Sequence, residues 1–108
     1  YVFYSGGSYR DNSYGVGYAD CGTSIDGPCV KKTADKPWLA SRPDLHMFGP
    51  GTPTFFRTKA GDTLMAVNTW KFSGGQSNPL NRGQIMHIFN VRIGANGKPV
   101  ATFVRMVE

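Results

Sequence analysis

The chain has 108 residues, enough for one small domain with a modest core. Fourteen glycines and seven prolines break it too often for long helices, and no window of a dozen residues keeps an uninterrupted helical apolar pattern, so the chain reads as all-β. Its formal charge of +5 is scattered, with only Lys31 and Lys32 adjacent, which describes a solvated surface and argues against nucleic acid as a partner; no apolar run is long enough for a membrane-spanning helix.

The chain opens in mid-strand, with Tyr1-Val2-Phe3-Tyr4-Ser5 and no initiating Met, and reads as a piece of something larger. No signal peptide remains, as a mature or truncated start would explain. A first strand over 1–5 ends at Gly6-Gly7-Ser8. A polar tip over 10–13 then leads into an antiparallel strand over 14–19. Along this second strand Tyr14, Val16 and Tyr18 point one way, and Gly15, Gly17 and Ala19 the other. The glycine side predicts close approach by a neighbouring sheet or backbone. Cys21 and Cys29, the only cysteines, are separated by seven residues and close on a Gly27-Pro28 turn. Such a pair forms a disulfide in a secreted protein or stays free in a cytosolic one. The closest His is His46, so a metal site lacks ligands nearby. The Gly-rich turn favours the disulfide, and with it an extracellular or periplasmic setting.

Residues 29–31 read as a short edge strand. A loop over 34–53 follows, holding Trp38, His46 and a Gly49-Pro50-Gly51 turn. Strands over 54–58 and 63–70 form a second hairpin with Gly61-Asp62 at its tip. A Gly/Ser/Asn-rich insertion over 73–81 leads into a long strand over 84–93. The turn Ala95-Asn96-Gly97-Lys98 then returns the chain to a strand over 100–107. Hairpin, Gly-Pro loop and hairpin recur at a period of roughly fifty residues, which suits successive four-stranded propeller blades. A β-sandwich satisfies the same pattern.

Taken in order, YVFYSGGSY, YGVGYADC followed by a loop ending in GPC, FGPGT, LMAVNTW and R-x-x-I-M-H-I resemble glycoside hydrolase family 43. The analogous family segments read roughly Y-x-L-F-Y-S, G-Y-A-x-C…G-P-C, G-P-G and an H-x-W strand end. The resemblance covers nearly the whole chain. It implies a partial five-bladed β-propeller: residues 1–108 would be the C-terminal part, the end of one blade plus roughly two further blades. Alone, such a piece would expose apolar blade faces and tend to associate.

The family resembles the inverting scheme, in which one carboxylic acid protonates the leaving oxygen and a second carboxylate activates water. By the resemblance the acid is a Glu shortly before Tyr1, and the base lies further upstream. The three catalytic carboxylates are therefore expected outside this chain, leaving no catalytic residue in it. Glu108, the only Glu, is no candidate, and the Asp residues at 11, 20, 26, 35, 44 and 62 sit where Asp usually serves turns. Arg82 matches a family Arg placed to hydrogen-bond a sugar hydroxyl, though a surface Arg at a loop end reads the same way. Trp70 occupies the W of H-x-W, either stacking on a sugar or, better for an alternating strand, filling the gap between blades. Trp38 is either a sugar platform or a cover over a blade interface; Tyr4 and Tyr9 are equally open. Asn68 stands where the family places a His near the propeller axis, and that His helps hold a central water or calcium. The resemblance thus allows a central calcium ion in the full-length protein, and Asn68 weakens that expectation. His87 reads as a satisfied structural His.

The leading expectation is a secreted glycoside hydrolase acting on arabinose- or xylose-containing plant polysaccharides such as arabinan, arabinoxylan or xylan. The alternatives are a non-catalytic, carbohydrate-binding propeller protein, and a small disulfide-stapled β domain without enzymatic role.

Overall fold

The computed structural model describes residues 1–8, 13–24 and 26–108. Tyr9 and most of the polar tip assigned to 10–13 lie outside the described residues, as does Asp11. Seven strands follow in chain order: β1 (Val2–Gly6), β2 (Gly15–Asp20), β3 (Val30–Lys31), β4 (Phe48–Arg57), β5 (Thr63–Trp70), β6 (Ile85–Ile93) and β7 (Pro99–Val107). Short 3-10 turns at Pro43–Leu45 and Gly75–Ser77 are the only helical elements among the described residues. The strands form two antiparallel sheets, β1-β2-β3 and β4-β5-β6-β7. The all-β, partial-propeller reading holds, and the strands are shared between two blade-like sheets.

The first hairpin pairs Val2 with Ala19 and Gly6 with Gly15. The alternation along β2 resolves as the sequence requires. Val16 and Tyr18 are buried toward the second sheet. On the other side, added methyls at Gly15 and Gly17 would meet Pro37, and Thr33 and Tyr4. The chain's own segment over 33–37 thus supplies the close approach, and the Thr33 hydroxyl accepts the Tyr18 N–H at 3.0 Å. Cys21 and Cys29 form a disulfide one step beyond the Asp20–Val30 pair, stapling the two-residue β3 to β2.

β4 departs from the expectation. Over its first half, Phe48 to Pro53, the composition of Gly49-Pro50-Gly51 predicts a turn within a loop. Instead the strand runs through it, with register shifts between Phe48 and Gly51 and again between Gly51 and Thr54. The reason is packing: Gly49, Pro50 and Gly51 are buried, and a methyl on Gly51 would overlap the Tyr14 ring. Irregularities of this kind are where Pro and Gly are tolerated inside a strand.

The core lies between the sheets. Met65 and Val67 of β5 and Phe89 and Val91 of β6 meet Val16, Leu39 and Met47, with Phe3 and Trp38 packed against them. The Phe3 ring lies 4.9 Å from Phe55 and 5.0 Å from Trp38, joining the two sheets through aromatic contacts. The Tyr1 hydroxyl donates to the Gly97 carbonyl in the β6–β7 turn. Thr52, at φ 50°, donates its N–H to Ser5 Oγ at 2.7 Å, tying β4 to the end of β1.

Candidate functional site

The C-terminal end of β5, the start of β6 and the loop between them gather the residues singled out from sequence. Asn68 is half-buried on β5, opposite Gly51 of β4 and Met86 of β6. Trp70 ends the strand opposite Phe48 and is 8% exposed, so it offers little surface to a sugar. Arg82 is exposed in the loop, shortly before Ile85, which pairs with Thr69. The antiparallel connection therefore brings Arg82 to the same end of the sheet as Asn68 and Trp70.

That loop is built by two asparagines. Asn81 Oδ1 accepts the Phe72 N–H at 3.0 Å, while Asn81 Nδ2 donates to the Phe72 carbonyl at 3.0 Å and to Gly75 at 2.8 Å. One amide side chain thus mimics a strand partner for Phe72. Asn78 repeats the device, donating to the Ser73 carbonyl at 2.7 Å and accepting from Leu80 N–H at 2.9 Å. Gly74, at φ 97°, turns the chain where a side chain would be strained. Composition marks this stretch only as a Gly/Ser/Asn-rich insertion and does not predict the clamp. The available signal was the pair of asparagines closing a Gly/Ser-rich segment that begins at an aromatic.

Glu108, Asp44 and Asp20 each have a partner. Lys71 Nζ lies 2.6 Å from Glu108 Oε1, and this hydrogen bond, with the lysine charge, lowers the Glu108 pKa. A general acid needs the opposite shift. Asp44 pairs with Arg42 at 2.9 Å, and Asp20 Oδ1 accepts the Gly22 N–H at 2.8 Å, the local turn use expected of Asp.

The other aromatic candidates separate. Trp38 packs between Phe3 and Tyr18, and its Nε1 donates to the Pro99 carbonyl at 3.0 Å. It is a cover between sheets. Tyr4 lies over Gly17 with the Lys31 ammonium 5.3 Å from its ring centre. It borders a cavity of about 260 Å³ that includes Thr33, Asp35 and Pro37.

His87 is fully buried. Its Nε2 lies 2.7 Å from the Leu45 carbonyl and its Nδ1 2.8 Å from Thr69 Oγ1. A carbonyl only accepts, so Nε2 carries the proton and Nδ1 accepts from the threonine hydroxyl. Burial lowers the His87 pKa, partly opposed by the Leu45 bond and reinforced electrostatically by the nearby His46.

Calcium takes about six to eight oxygen ligands. Asn68 offers one amide oxygen, and no three His, Cys, Asp or Glu side chains converge among the described residues. These residues by themselves do not fit the ion.

No family model matches the sequence, and no curated protein matches it significantly. The fold is similar to the crystal structure of an endo-1,4-beta-xylanase from Bacteroides thetaiotaomicron VPI-5482, with a TM-score of 0.69 and 23% sequence identity. The likeness covers 97% of this chain and 33% of that one. At this identity it shows the fold alone, and the chain spans about a third of the solved structure it matches.

Proposed function

We propose that this chain is the C-terminal part of a secreted β-propeller glycoside hydrolase of the family 43 type, acting on xylose- or arabinose-containing plant polysaccharides. The supporting observation is the two-sheet arrangement, which is similar to part of a xylanase over 97% of the chain, in a sequence whose ordered segments resemble those of family 43. The Cys21–Cys29 disulfide agrees with an oxidising compartment.

In this reading the acid and base come from preceding blades, in an inverting pair about 6.5–9.5 Å apart. The residues described here orient substrate. Arg82 supplies hydrogen-bond donors to sugar hydroxyls, and Asn68 presents an amide that both donates and accepts. Trp70, nearly buried at the end of the strand, supports them. Asn68, in place of the family's axial His, favours a second reading: a propeller that binds the polysaccharide without cleaving it.

One experiment separates the readings. The full-length protein is incubated with xylan, arabinoxylan and arabinan oligosaccharides, following both binding and reducing-sugar release. Hydrolysis, abolished when a Glu shortly before Tyr1 is changed to Gln, supports the enzyme. Binding without release favours the second reading, and neither binding nor release defeats both.

A further inference from the structure

Phe72 and Leu80 are the two large apolar residues left exposed in the loop at this end of the sheet. Phe72 is 37% exposed, the one aromatic in a loop otherwise built from Ser, Gly, Gln, Asn, Pro, Arg82 and the exposed Leu80. Both backbone groups of Phe72 are held by the Asn81 side chain, the N–H by Oδ1 and the carbonyl by Nδ2. Asn81 is the residue immediately before Arg82. One side chain therefore fixes where an exposed ring begins, one residue from the guanidinium proposed to contact sugar.

We propose that Phe72, held by Asn81, is a stacking platform on which a sugar ring of a xylan- or arabinan-type chain rests beside Arg82. This rests on the glycosidase reading and adds a binding residue to that same site.

The chemistry fits such an occupant. A furanose or pyranose ring presents C–H groups on its face and hydroxyls around its rim. It therefore needs one apolar plate bordered by hydrogen-bonding groups. Phe72 supplies the plate, and Arg82 supplies donors at its border. The Lys71 ammonium lies over one face of the ring, 6.0 Å from its centre and anchored by its salt bridge to Glu108, so the sugar takes the other face. The clamp also reduces the cost of binding. With its backbone already fixed, Phe72 has only two side-chain torsions left to order, the economy that makes rigid aromatics effective contact residues. Asn81 is then a positioning residue. Aspartate in its place keeps the shape and the acceptor but loses both amide donations.

The test uses the full-length protein with xylohexaose and arabinohexaose, measuring binding by calorimetry and turnover by sugar release. Phe72→Leu keeps an apolar side chain and removes the aromatic face. It is expected to weaken binding about five- to tenfold, raising KM while kcat stays near wild type, and Phe72→Tyr should restore affinity. Asn81→Asp should give a smaller KM increase, also without a kcat effect. Phe72→Leu binding as tightly as wild type overturns the inference, as does a loss of kcat with KM unchanged. If Phe72→Leu loses its native circular dichroism, the Asn81→Asp comparison decides in the same way. A wild-type protein that neither binds nor cleaves either oligosaccharide defeats the glycosidase reading itself, whereas wild-type binding with an indifferent Phe72→Leu defeats only this one.

Discussion

The two faces of the four-stranded sheet carry similar side chains and meet different surroundings. On one face Met65, Val67 and Phe89 are fully buried against Val16, Leu39 and Met47 of the first sheet and its loop. On the other, Phe56 opposite Leu64 and Met86 opposite Val107 form apolar rows, yet Phe56 is 44% and Met86 37% exposed. An antiparallel sheet with one wet face alternates apolar and polar residues along each strand. Here the outer face mixes apolar side chains with Asn68, Asn90 and Arg105, so it is more apolar than a fully wet face without being a second core. In the propeller reading proposed above, another blade would cover this face.

The largest expected effect tests this contrast directly. Phe89→Ala removes a fully buried ring and should cost about 3–5 kcal/mol by denaturant unfolding. Phe56→Ala, measured in the full-length protein, discriminates. A loss above about 2 kcal/mol means that another element covers the outer face. A change within about 0.5 kcal/mol means that the outer face meets water, and the blade reading then fails.

A second effect concerns the first sheet, which has less core to draw on. β3 is two residues long and exposed, held to β2 by two backbone pairs and the disulfide. Replacing Cys21 and Cys29 with Ser should cost about 2–3 kcal/mol, the low end for a short loop. Hydrogen exchange should place the loss in β2, β3 and the segment over 33–37. A uniform loss across both sheets would contradict this division between them.

What the sequence disclosed follows the range of the interactions involved. β5 was legible at its stated bounds because alternation runs from Thr63 to Trp70 and Gly61, at φ 92°, marks the preceding turn. The first half of β4 was not. Its Gly-Pro-Gly is local turn chemistry overruled by the Tyr14 ring, more than thirty residues earlier in the chain. Trp38 behaved likewise, since its role is decided by the Pro99 carbonyl, 61 residues away. In the candidate site Asn68, Trp70 and Arg82 could be named from a motif, but the Asn81 clamp could not, because a side chain pairing with the backbone leaves no periodic trace.

The smallest effect belongs to the buried face alone and is read through pH. His87 sits among Val67, Phe103 and Met106, and its ring is neutral, accepting from Thr69 and donating to Leu45. Its folded pKa lies below the ordinary 6.5, chiefly through burial, so below that pH the unfolded chain binds more protons than the folded one. Stability from this group is complete above 6.5 and is lost as pH falls through the lowered folded value. Titrating unfolding free energy against pH should show that loss, and His87→Phe should flatten it. Protonation also reverses one bond: Nδ1 becomes a donor, and the Thr69 hydroxyl must turn toward the Ile85 carbonyl, 3.5 Å away. Thr69→Val removes both arrangements and should cost about 1–3 kcal/mol at neutral pH by leaving Nδ1 unpaired, while Thr69→Ser should recover most of it. A Thr69→Val protein as stable as wild type would mean that His87 is not held as the buried face requires.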